Sequence, residues 1–150
     1  MNNILLSVLF FSCSFIMAQS MLVPPDRVLN AFEKQYPNKK ATWSMEVGMK
    51  EDDIKFEAKF YTGKTLEYAL YDGQGVFKSY KTSLIFIKLP KNIQTYVNKN
   101  YPKWIKQSFS VLDDRNVKRY EIEVKKSSTN YNLIFDSEGN YLKKSIINAY

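Results

Sequence analysis

Apolar positions recur along this chain at two different periods. In VPPDRVLNAFEKQYP, Val23 to Pro37, the residues Val28, Phe32 and Tyr36 stand four apart, and in KLPKNIQTYVNKNYP, Lys88 to Pro102, Ile93, Val97 and Tyr101 do the same. That spacing stacks them on one face of a helix. Pro25 and Pro90 sit near the start of each segment, where a missing N–H is no loss. Tyr36 and Tyr101 precede prolines that push them out of the α region, so both helices are predicted to be short.

Elsewhere the period is two. Ile54, Phe56, Ala58 and Phe60 alternate with Lys55, Glu57, Lys59 and Tyr61, and Tyr120, Ile122 and Val124 alternate with Arg119, Glu121, Glu123 and Lys125. Each run predicts a strand with one buried face and one face that is wet or turned to a partner. Both open hairpins, Phe56 to Gly75 and Tyr120 to Gly139, which close on Asp72-Gly73-Gln74-Gly75 and Asp136-Ser137-Glu138-Gly139 before last strands starting at Val76-Phe77 and Tyr141-Leu142. A further strand precedes each hairpin, roughly Ala41 to Val47 and Gln107 to Leu112. In the returning strands Leu66, Tyr68 and Leu70 are apolar in the first hairpin, whereas Tyr131, Leu133 and Phe135 are in the second. This conflict of parity implies a bulge or a strand covered on both faces. The run Leu84-Ile85-Phe86-Ile87 is expected to be buried.

The helical segments superpose at a shift of 65 residues and the hairpins, without a gap, at a shift of 64. Self-similarity of this kind points to a tandem duplication of a helix-plus-antiparallel-strands unit, residues 23–87 and 88–150. The fold class is α+β: two helices on a curved antiparallel sheet of about eight strands, in one compact body over residues 19–150. The change in length between copies falls around Ala41 to Asp53 and Lys103 to Asn116.

The opening residues alter where such a body resides. MNNILLSVLFFSCSFIMAQS has no charged side chain and an apolar run from Ile4 to Met17, which reads as a secretory signal, residues 1–18, cleaved after Ala18. A transmembrane anchor is the alternative, but the run is shorter than the roughly 20 apolar residues that span a bilayer. No spanning segment is expected after its removal. The single cysteine, Cys13, lies inside this segment and offers lipid anchoring as a further alternative, disfavoured because the apolar run continues past it. The protein is expected to be periplasmic or secreted, without disulfides.

With 22 basic and 15 acidic residues the chain carries +7. Such a charge favours acidic partners, although the lysines are scattered and a solvated surface accounts for them. Nucleic acid is not expected as a partner of an exported chain.

The doubled pattern of proline, apolar-spaced helix ending in Tyr-Pro, a Tyr/Phe-Glu strand, Asp-x-x-Gly and a final strand, from about Val23 to Ile147, resembles the PepSY-like, β-lactamase-inhibitor-like family. The resemblance implies a small exported protein with helices laid on a curved antiparallel sheet, and a binding or inhibitory role. It transfers no catalytic residues.

The residues themselves carry little catalytic chemistry. There is no histidine, which removes His-based triads and imidazole metal sites. Gly63-Lys64-Thr65 lies between strands and reads as a hairpin turn, not a phosphate loop, and no Ser-x-x-Lys occurs. Glu51-Asp52-Asp53, Asp72, Asp113-Asp114 and Asp136 suit turns better than a metal. No cofactor is expected. Glu57 and Glu121, equivalent in the two copies, could form a carboxylate pair as in glycosidases, with cross-strand ion pairing as the simpler account. The binding candidates are the cations and tyrosine on the polar strand faces: Lys55, Lys59 and Tyr61 in the first copy, Arg119 and Lys125 in the second. The function expected is that of a non-catalytic binding module, engaging an envelope or secreted protein or peptide through the open face of its sheet. A basic adhesion protein for an acidic polymer or lipid, and a carboxylate-based hydrolase, are the alternatives.

Overall fold

The computed structural model describes residues 22–47, 53–102 and 105–147. The expected signal segment with Cys13, and Glu51 and Asp52, lie outside the described residues. Both helices form: α1 is Asp26–Gln35 and α2 is Lys91–Asn100. Pro25 and Pro90 are their N-caps, and Tyr36 and Tyr101 leave the helix at φ −130° and −139° while still donating their N–H groups to Phe32 and Val97. Val28 and Phe32 of α1, and Ile93 and Val97 of α2, are buried, as their spacing predicts.

Eight strands form one antiparallel sheet in chain order. They are β1 Thr42–Val47, β2 Ile54–Thr62, β3 Thr65–Asp72, β4 Phe77–Leu84, β5 Ile105–Asp113, β6 Lys118–Lys126, β7 Thr129–Asp136 and β8 Tyr141–Ile147. α1 precedes β1, and α2 lies between β4 and β5, after a 3-10 turn at Phe86–Lys88. The α+β class and the two helices on an eight-stranded antiparallel sheet are therefore as expected.

The core lies between the helices and one face of the sheet. α1 packs with Phe56, Ala58 and Phe60 of β2 and Ala69 and Tyr71 of β3. α2 packs with Tyr120, Ile122 and Val124 of β6 and Leu133 and Phe135 of β7. Phe32 meets Phe60 and Trp43 nearly edge-on, with ring centroids 5.2 and 5.3 Å apart, the arrangement that ring quadrupoles favour.

The parity conflict resolves as coverage of both faces, since the equivalent pairs Ala69/Tyr71 and Leu133/Phe135 both turn to their helices. In β3, Ala69 and Tyr71 face α1 while Leu66, Tyr68 and Leu70 line the other face, so the strand is covered on both sides. Register shifts also break the pairing at Leu70/Tyr71 against β4 and at Ile134/Phe135 against β8. The run from Leu84 to Ile87 departs from expectation. Leu84 and Phe86 pack beside the α2 cluster, but Ile85 and Ile87 are exposed. The segment is the end of an alternating strand passing into a turn, so only every second side chain can reach the core.

The acidic residues at strand ends act as turn acceptors. Oδ1 of Asp72 accepts from the backbone of Gln74 and Val76, that of Asp113 from Arg115 and Val117, and that of Asp136 from Glu138 and Asn140, all at 2.8–3.0 Å. All three carboxyls are held below the usual aspartate range. Burial opposes the charge of Asp72, but bonds from Lys78, Val76 and Gln74 outweigh it; Val117 N–H acts most on Asp113, and the Asn140 side chain on Asp136. The stability these groups add is complete above about pH 4, their unfolded value, and is lost as pH falls through the depressed folded values. Acid titration of the Asp72→Asn, Asp113→Asn, Asp136→Asn triple variant, followed by circular dichroism, should show a shallower loss below pH 4 than the parent.

The β3–β4 turn also seats α1. A Cβ on Gly75, whose φ is +81°, would stand 2.5 Å from the Arg27 carbonyl oxygen, whereas Gly73 has only Ile54 O at 3.8 Å. Gly75→Ala combines a left-handed backbone with a main-chain clash and should cost more than about 2 kcal/mol in urea denaturation. Gly73→Ala should stay within about 0.5 kcal/mol.

Candidate functional site: the concave face of the sheet

Side chains on the face away from the helices follow from the register. Glu57 stands between Ser44 and Leu70, Lys81 between Tyr68 and Val111, Glu121 between Phe109 and Ile134, and Glu123 between Gln107 and Asn132. In a flat sheet Glu57 on β2 and Asn132 on β7 would be roughly 24 Å apart, at about 4.8 Å per strand. Here both line a single cavity of about 850 Å³, together with β1 from Ser44 to Val47 and β8 from Ser145 to Ile147. The sheet is thus curled into a half-barrel, with this face inward and its two outer strands facing each other across the opening.

The curl gathers charge at its floor. Lys81 Nζ lies 3.3 Å from Glu121 Oε2, and Arg119 Nε is 3.1 Å from Glu121 Oε1. Asn132 Nδ2 donates to Glu121 Oε2 at 3.1 Å. The Lys81 ammonium also stands 5.6 and 5.2 Å from the ring centroids of Tyr68 and Phe109, which meet edge-on. Burial opposes the Lys81 charge, but Glu121, Glu57 and Glu123 more than offset it and raise its pKa. Burial likewise opposes the Glu121 charge, yet Lys81, Asn132 and Arg119 hold its pKa down. Glu57 goes the other way: burial raises its pKa, Lys81 counters, and Glu46, Glu121 and Glu123 add to the rise.

This arrangement binds charge more readily than it reacts. A nucleophilic lysine needs a depressed pKa, and Lys81 has the reverse. Glu121 has both oxygens engaged. Glu57 lines the cavity and can serve as an acceptor for a bound cation. Among the described residues no group of three His, Cys, Asp or Glu is placed to hold a metal ion.

All five binding candidates project from the inward face, but they are spread. Lys55, Lys59 and Tyr61 lie on β2 and Arg119 and Lys125 on β6, four strands away. Lys55 is held by Asp53 at 3.0 Å, Lys59 stands beside Tyr68 and Thr42, and Tyr61 is exposed near the end of its strand. Lys125 stands opposite Asn130. Only Arg119 joins the central cluster. Lys81, Tyr68, Phe109 and Asn132 escaped the sequence reading. One signal did mark two of them: the parity conflict aligns Tyr68 with Asn132, both on the concave floor.

Residues 54–143, more than half of the chain, match the family described as "Putative beta-lactamase-inhibitor-like, PepSY-like". The chain belongs to the PepSY-like family. No curated protein matches this PepSY-like chain in sequence. Among solved structures it is similar to a DUF2874 family protein from Bacteroides ovatus ATCC 8483, at 20% identity and a TM-score of 0.64 over 83% of this chain and 89% of that one. It is similar also to a chain from Bacteroides eggerthii DSM 20697 named among "putative periplasmic proteins", at 17% identity and a TM-score of 0.66 over 84% and 91%. A BLIP-like protein from Bacteroides fragilis NCTC 9343 matches at 17% identity and a TM-score of 0.59 over 87% and 92%. At these identities the likeness is one of fold.

Two substitutions test the electrostatics of the floor. Lys81→Met leaves buried carboxylates without their ammonium and should lower stability at pH 7 by about 2–3 kcal/mol, less than for a fully buried pair because part of the side chain is exposed. Glu57→Gln should raise the melting temperature at pH 7. A raised folded pKa means that ionisation costs stability above the unfolded value of about 4.3, so the gain should vanish as pH falls toward 4.

Proposed function

We propose that this PepSY-like chain is an exported, non-catalytic module that binds a protein or peptide through the concave face of its curled sheet. The observation that carries the reading is the cavity between β1 and β8, floored by Glu57 and Asn132 behind the small side chains of Ser44 and Ser145. A concave cavity with a few convergent polar groups is what a recognition site needs. Export is supported by the uncharged apolar opening of the sequence and by the periplasmic description of the B. eggerthii relative. The engagement of Glu121 by Lys81, Arg119 and Asn132 speaks against its use as a hydrolase carboxylate. The family's inhibitor-like description makes exported enzymes one class of partner to assay. The same reading treats the halves, each a helix followed by four strands, as copies of one unit, supported by the shifts of 65 and 64.

Ser145→Trp fills the cavity from an exposed edge position, and Asn98→Trp places the same ring on the exposed side of α2. Capture from envelope extract, at low and physiological salt, should retain a partner with the parent and Asn98→Trp and lose it with Ser145→Trp. A partner retained by all three proteins and released by salt would instead assign the role to surface adhesion through the +7 charge.

A further inference from the structure

We infer that the gap between β1 and β8 is a slot for an extended peptide, which adds along the sheet edge as a ninth strand and seats one lysine or arginine side chain between Glu57 and Oδ1 of Asn132. The inference rests on the concave-face reading and names the partner's chemistry at that site.

The strand order supplies the first argument. β1 and β8 are the ends of the sheet, so among the described residues the outward N–H and C=O groups of each have no strand beside them. Such edges are templates for another chain unless lysine, proline or a bulge blunts them. β1, Thr-Trp-Ser-Met-Glu-Val, has neither lysine nor proline. β8 carries Lys143 and Lys144, but its cavity end, Ser145 to Ile147, has no charge. The unblunted parts of both edges are the parts that face each other. Because neighbours alternate in direction through eight strands, β1 and β8 run oppositely. An inserted strand would be antiparallel to one wall and parallel to the other, both of which are workable ladders.

The floor of the slot supplies the second. Ser44 pairs with Glu57 and Ser145 with Asn132, so each edge strand presents a small side chain in front of a longer polar one on the strand behind. Glu57 and Asn132 are thereby reached from the gap. The Asn132 amide is oriented by its Nδ2 bond to Glu121, which leaves Oδ1, a buried acceptor, with no hydrogen-bond partner. Around Glu57 stand Glu46, Glu121 and Glu123 against Lys81, with Arg119 committed to Glu121. Two acceptors, one of them anionic, call for a cationic donor. The residues that line the slot include Glu46 and Glu57 and no lysine or arginine, although the whole chain is basic. Its volume of about 850 Å³ is within the range of sites that enclose a ligand.

The test uses end-blocked peptides of alternating valine and threonine. One carries a central lysine, one a glutamate in its place, and one the same lysine with alternate backbone amides N-methylated; N-acetyl-lysine amide is the fourth probe. Each is titrated into isotope-labelled protein and followed by amide shifts, amide exchange and calorimetry. The lysine peptide is expected to bind and slow exchange along β1 and β8. Glutamate or N-methylation should each weaken it at least about tenfold, and Glu57→Gln, which removes no packing, at least about fivefold. Equal binding of the N-methylated peptide, protection confined to other strands, or indifference to Glu57→Gln would overturn the inference. Binding of N-acetyl-lysine amide as tight as that of the peptide would reduce the site to an amine pocket and overturn the strand. Failure of every peptide, with partner capture still lost in Ser145→Trp, would reject the ninth strand while leaving the concave-face reading intact. If capture is indifferent to Ser145→Trp, that reading fails, whatever the peptides do.

Discussion

The ion pair between Lys81 and Glu121 stands at the centre of the curled sheet's concave face. The curl carries Glu57 from β2 and Glu121 from β6 toward a common floor, where Lys81 favours the charged form of both against their burial. Lys81 stands on β4, between those strands, with its ammonium beside the rings of Tyr68 and Phe109 and 3.3 Å from Glu121. Aromatic neighbours let a lysine bury its methylenes and keep a favourable electrostatic surround. The two rings and the Lys81 ammonium stand on the middle strands of the concave face, and the cavity lies toward the opening between β1 and β8.

The opposite face is organised by a different constraint. A ten-residue helix is about 15 Å long and covers only a few strands. Each helix is therefore devoted to one half of the sheet, and the core divides into two clusters rather than one. Of the middle strands, β4 is left with intermediate burial along its whole length, while β5 buries Ser108, Phe109 and Val111. The Asp-capped turns with Gly75 and Gly139 press against Arg27 and Asn92, the first turns of the two helices, and so tie the ends of β3 and β7 to the elements that cover them.

Much of this was legible in the chain. Helical faces, strand parity, hairpins and the aspartate turns are local properties: each depends on residues a few positions apart, and period and turn chemistry report them directly. Val28, Phe32, Ile93 and Val97 were readable for that reason, as were Phe56, Phe60, Tyr120 and Ile122. The exposed Ile85 and Ile87 were not, because an unbroken apolar run hides the change from strand to turn. The candidate site was readable only in outline. Lys55, Lys59, Tyr61, Arg119 and Lys125 fall on the concave face, but parity selects a face and not a place on it.

What the sequence alone determined is thus the set of elements and which side of each strand turns from the helices, since both follow from short-range spacing. The tertiary structure decided how far the sheet bends and therefore which of those polar side chains meet. Glu57 and Asn132 are 75 residues apart in the chain and five strands apart in the sheet, yet they line one cavity. Curvature accumulates from small twists at every strand and from the breaks in register at Leu70/Tyr71 and Ile134/Phe135. No single stretch of residues encodes that sum, which is why the floor of the half-barrel and the open edges above it emerge only when all eight strands are in place.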